Sequence, residues 1–98
     1  MKVAVVGHVE WCTFVRVERI PKAGEIAHAL ETWEEPAGGG AVVAAELARL
    51  AGEAALYTAL GGDELGERAR TGLEQLGVRV HTAPLEEEQR RAIVFVDE

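Results

Sequence analysis

The residues best suited to chemistry are three consecutive glycines, Gly38, Gly39 and Gly40. Glycine lets a backbone approach a ligand closely and aim its amide groups at it. The alanine- and leucine-rich run behind the triplet reads as a helix, whose positive dipole end adds attraction for oxygen-rich groups. For an isolated glycine run, a tight strand-to-helix turn with no ligand is the competing reading. His8 sits at the mouth of the first apolar run, where open α/β sheets bind ligands. It either bonds a ligand or serves the structure. Trp11 and Trp33 offer aromatic plates that stack on a sugar or base, or pack within their own sheet. Arg90 and Arg91 open the last apolar stretch, where they reach an anionic ligand or are simply solvated. Asp63 stands where a helix begins and is first of all an N-cap. Cys12 is the only cysteine, so neither an intramolecular disulfide nor a thiolate zinc site can be built. No residue stands out as catalytic, and no metal-ligand spacing is present.

These residues need elements to position them. Lys2–Val6 is apolar and β-branched at nearly every position, which predicts a strand buried on both faces of a parallel sheet. Alternation over 11–18 and again over 26–34, with Pro21 and Gly24 between them, predicts an antiparallel pair projecting from that sheet. Ala41–Ala51 reads as a helix with Val43, Leu47 and Leu50 at helical spacing and Gly52 as its stop. Ala54–Leu60 is the next strand. Asp63 caps a helix over Glu64–Leu76, striped by Leu65, Ala69, Leu73 and Leu76 and ended by Gly77. Val78–Val80 is a short strand, Pro84–Gln89 a polar hinge, and 91–97 a last strand. Strands alternating with helices imply an α/β fold with right-handed crossovers. Two helices give a parallel sheet little cover, which predicts a portion of a larger domain or a chain that needs a partner.

Composition narrows the function classes. Ninety-eight residues suffice for one small domain. With 48% hydrophobic and 28% charged residues the chain is ordinary for a folded protein. A formal net charge of −7 argues against nucleic acid or an anionic membrane as partner. It does not exclude an anionic ligand held by a local glycine loop. No apolar run approaches the ~20 residues of a membrane helix, so the expected location is the cytoplasm. The Rossmann fingerprint is missing, because the place after the first strand reads Gly7-His-Val-Glu-Trp-Cys.

The order Gly38-Gly39-Gly40-Ala41-Val42-Val43-Ala44-Ala45, then six residues to Gly52 and nine to Gly62, resembles the N-terminal signature of the PfkB, or ribokinase-like, carbohydrate kinase family. VVG near the start, Pro21-Lys-Ala-Gly-Glu25, Gly61-Gly62-Asp63-Glu64-Leu65-Gly66 and Leu76-Gly-Val78 fall in family order and spacing, so the likeness covers essentially the whole chain. It implies a partial doubly wound parallel sheet in which the strands near 11–18, 26–34 and 91–97 form a small lid. It also implies ATP-dependent phosphorylation of a hydroxymethyl group on a sugar or nucleoside. In the family both the general base and the nucleotide site lie in a C-terminal part. This chain is therefore expected to be inactive alone and to bind no cofactor, with ATP and Mg2+ acting at full length.

The resemblance also distributes roles over residues. Gly38, Gly39 and Gly40 become a sugar-contacting loop. Gap-free placement from Gly7 to Pro21 sets Glu10 and Cys12 where the family carries polar groups that bond substrate hydroxyls. A carboxylate accepts from two adjacent hydroxyls, so Glu10 suits the task; Cys12 replaces the usual aspartate. Val43 replaces the signature's asparagine and can neither donate nor accept. His8 and Arg91 complete the expected substrate-binding set. A homodimer through the lid strands is the expected assembly, and a non-catalytic binding or dimerisation module derived from the same family is the alternative.

Overall fold

The computed structural model describes residues 2–97. The order is β1 (Ala4–Val6), β2 (Glu10–Arg16), β3 (Glu31–Ala37), α1 (Gly39–Ala51), β4 (Ala54–Gly61), α2 (Glu64–Gln75), β5 (Val78–Leu85) and β6 (Arg91–Val96). Two sheets result. The body sheet is parallel, in the order β1-β4-β5, and the lid sheet has the order β3-β2-β6. The architecture is α/β, a parallel body sheet with its helices on one face and a mixed lid sheet projecting from it. The Cα radius of gyration, 15.1 Å, exceeds the ~13 Å of a compact chain this long, as expected when the lid projects.

Both helices serve one face of the body. Leu56 and Leu60 of β4 and Val78 and Val80 of β5 share a buried cluster with Ala44 and Ala48 of α1 and Ala69 and Leu73 of α2. The buried face of α1 is not the stripe expected from Val43, Leu47 and Leu50. Val43 and Leu50 are largely exposed, and the buried residues are Gly40, Ala41, Ala44 and Ala48. Small residues let α1 lie close to β1: a Cβ on Gly40 would stand 2.5 Å from the carbonyl carbon of Gly7. Leu76, expected as the end of the α2 stripe, is also more than half exposed.

The opposite face of the body is open. Val6 is 85% exposed, beside Tyr57, whose ring stacks on His81 at 4.7 Å. The first strand is therefore covered on one face within this chain, whereas its unbroken apolar run suggested two.

In the lid, β2 pairs antiparallel with β3 and parallel with β6. The second lid strand lies later than the alternation over 26–34 indicated. Pairing runs from Arg16↔Glu31 to Glu10↔Ala37, and residues 26–30 are exposed connection. Alternation alone does not register a strand; the partner does, and β2 takes the acidic stretch through Pro36. Pro36 is tolerated because β3 is an edge strand. Strand β5 also extends beyond Val80, through Pro84 and Leu85, which pair with Leu60 and Gly61.

Candidate functional site

The site begins where β3 ends. Gly38 takes φ +94° as the N-cap residue of α1, a backbone region open to glycine at little cost. The turn brings the triplet against the segment between β1 and β2. A Cβ on Gly38 would lie 3.0 Å from both the Glu10 amide nitrogen and the His8 ring. Gly40 donates its N–H to the His8 carbonyl at 3.0 Å, and Gly39 donates to His8 Nε2 at 3.3 Å. Nε2 is the acceptor in that contact. The Glu10 carboxylate stands 3.7 Å from the same Nε2. The triplet, His8 and Glu10 therefore share one place at the carboxyl end of β1, with the Gly39 and Gly40 amides aimed at His8.

A cavity of about 570 Å³ is lined by His8 of this group, but not by Glu10 or the triplet. Its floor comes from the ends of β1 and β4, and Glu87, Glu88, Gln89 and Arg90 form its polar wall. Carboxyl ends of parallel strands are where open sheets place ligands. Arg90, and not Arg91, lines the cavity; Arg91 pairs with Trp11 at the start of β6 and is exposed.

The other expected residues have clear surroundings. Trp11 is 5% exposed, donates its indole N–H to Glu34 at 2.7 Å and lies beneath the Arg68 guanidinium at 4.7 Å. Trp33 stacks on Phe14 at 5.3 Å with the rings parallel within 2°. Both tryptophans are engaged in packing. Cys12 is buried in the lid, where burial first, then the Glu10 and Glu35 carboxylates, push its thiol pKa up. Burial and the raised pKa both make it less reactive than a free thiol. Asp63 caps α2 by accepting from the Gly66 amide at 3.0 Å, and its second oxygen accepts from the Gln89 amide at 3.2 Å.

Sequence reasoning missed Gln89. It is the one buried polar residue among those described, at 4% exposure. Its side chain joins Gly61 to Val9, and so reaches the backbone that carries His8 and Glu10. An acidic run before it disguised it as the end of a solvated loop; only the neighbouring pair Gly61-Gly62 hinted at a close backbone approach. Among the described residues no three His, Cys, Asp or Glu side chains gather as a metal site.

The family model for pfkB family carbohydrate kinases matches residues 1–98. This chain belongs to the pfkB family. An ATP-dependent ribose-1-phosphate kinase from Halopiger xanaduensis is 33% identical over 96 residues, covering 98% of this chain and 32% of that protein. The ribokinase of Thermotoga maritima superposes with a TM-score of 0.82 at 26% identity, over 98% of this chain and 32% of that one. The ribokinase of Cryptococcus neoformans in complex with ADP gives 0.78 at 26% identity, over 98% of this chain and 30% of that one. This pfkB-family chain thus spans about a third of the length of the relatives it matches. No helix among its described residues is long and apolar enough to cross a membrane.

Proposed function

We propose that this chain is the substrate-binding part of an ATP-dependent kinase that phosphorylates a hydroxymethyl group of a sugar, a nucleoside or a similar small alcohol. The observation that carries this reading is the meeting of the glycine triplet, His8 and Glu10 at the carboxyl end of β1. Glu10 accepts hydrogen bonds from neighbouring hydroxyls. The start of α1 contributes a positive dipole end, and the His8 ring a further polar group. Together these groups bind and orient the alcohol; the base that takes its proton belongs to a further segment of polypeptide, and the chain alone is inactive.

ATP is the phosphoryl donor in this reading, but the residues here do not suit it. The cavity wall offers Glu87 and Glu88 against a single Arg90, a poor match for a triphosphate. Neither ATP nor Mg2+ is therefore assigned to this chain. A cytoplasmic location belongs to the same proposal, with no role for nucleic acid or membrane.

The test is to incubate the complete polypeptide with ATP and ribose, ribose 1-phosphate or a nucleoside. Phosphate transfer to one of them is expected, and Glu10→Ala is expected to raise KM. No transfer to any of the three contradicts the proposal.

A second reading, a non-catalytic dimerisation module, draws on the lid. Val94, Val96 and the Phe14–Trp33 stack lie on one face of that sheet, and the two valines and Trp33 are more than a third exposed. A homodimer through this face is compatible with either reading. Light scattering at micromolar concentration tests it, and a monomer counts against it.

A further inference from the structure

We propose that Gln89 is a positioning residue, a clasp that fixes the lid and the His8–Glu10 segment over the start of α1. Three observations carry it.

The first is its bonding. Gln89 Oε1 accepts from the Gly61 amide at 2.9 Å, at the end of β4. Gln89 Nε2 donates to the Val9 carbonyl at 2.9 Å and more weakly to the Arg90 carbonyl at 3.4 Å. The Gln89 backbone N–H donates to Asp63, which caps α2. One side chain thus ties the body to both crossings that lead into the lid, β1 to β2 and β5 to β6.

The second is the room made for it. A Cβ on Gly61 would lie 2.1 Å from the Gln89 nitrogen and 2.5 Å from its Cα. Glycine at 61 is needed because the backbone of Gln89 lies against it. The seam continues on either side: Trp11 donates to the Arg90 carbonyl at 2.9 Å, and Gly62 to the Glu87 carbonyl at 3.3 Å.

The third is what the clasp holds. Val9, 3% exposed, stands between His8 and Glu10. Both neighbours meet the triplet: His8 accepts from Gly39 and Gly40, and the Glu10 amide lies against Gly38. Glutamine suits the position because a single planar amide both donates and accepts. Leaving a buried carbonyl unpaired would cost more than the bond returns.

The substrate-side consequence rests on the kinase reading above, but the clasp does not, and it is tested without ligand. Residual dipolar couplings from the body and from β2, β3 and β6 are expected to fit one common alignment tensor in the unmodified chain. In Gln89→Met the lid is expected to need its own, weaker tensor, and the Gly61 amide, which loses its acceptor, to exchange roughly tenfold faster, with the buried Gly40 amide quickening as the His8 carbonyl it bonds loosens. Gln89→Glu keeps the acceptor for Gly61 and loses the donor for Val9, so it should loosen the lid while Gly61 stays protected. A single shared tensor in either folded variant, with unchanged Gly40 exchange, overturns the proposal. So does rapid exchange of the Gln89 side-chain amide protons in the unmodified chain, a measurement that requires no variant to fold. Failure of the complete polypeptide to phosphorylate any small alcohol would remove the kinase reading and leave the clasp standing.

Discussion

The body and the lid use the same kinds of residue to opposite effect. In the body, Leu56 and Leu73 are wholly buried between one sheet face and two helices. In the lid, Ile93 is 67% exposed and Phe95 45%, because no helix covers the outer part of that sheet. The body therefore owes its shape to packing. The lid joins that packing only at its root, where Val9 and Trp11 share the buried cluster of the body, and there directed contacts are added: Trp11 beneath Arg68 and Gln89 between Gly61 and Val9. Local stability follows buried apolar contact, so the two halves should differ in what breaks them.

The largest expected effect is in the body core. Leu73→Ala should lower stability by about 2–5 kcal/mol, as truncation at a closed site does, whereas Phe95→Ala should cost less than about 1 kcal/mol. Urea unfolding followed by tryptophan fluorescence compares the two, and equal losses would erase the distinction. Next comes Gly40→Ala. Its Cβ would meet Gly7 backbone at 2.5 Å, forcing α1 off β1 at about 1–3 kcal/mol. The matched control is Gly24→Ala, where nothing lies within 4 Å and only the φ of +82° resists, for about 1–2 kcal/mol. Asp63→Ala removes the α2 cap and the Gln89 amide partner together, for about 1–2 kcal/mol. Amide exchange should then quicken at Gly66 and Gln89 before it does in β4.

The smallest effect belongs to the exposed connection beyond the lid. Arg19, then the Lys22 amide, hold the Glu25 carboxyl below its ordinary value. A lowered folded-state pKa contributes stability that is complete above the unfolded value and is lost as pH falls through the folded one. Acid titration by NMR should therefore move the Lys22 amide only below the usual carboxylate range. The body amides should stay still there, and Glu25→Gln should abolish the step at Lys22.

The body was largely legible in the sequence. Gly52 and Gly77 punctuate its helices and Asp63 caps α2 as its type and position suggest, because those signals act within a few residues. The lid was legible as alternation but not as register. Residues 26–30 alternate as well as 31–37 do, and only pairing with β2 chooses between them. In the site, the triplet and the His8–Glu10 segment were visible as residue types, and the fold brings them together. What the pattern could not give was Gln89, whose role depends on contacts 28 and 80 residues away in the chain. Nor could it tell Arg90 from Arg91, since one residue of register decides which faces the cavity.

Titrating ribose 1-phosphate into the chain while following its backbone amides tests the central claim most directly. The account predicts shifts concentrated at Gly38, Gly39, Gly40, His8 and Glu10, with smaller ones at Gln89 and none on α2 beyond its first turn. Saturable shifts gathered instead around Trp11 and the middle of α2, with the triplet silent, would contradict it.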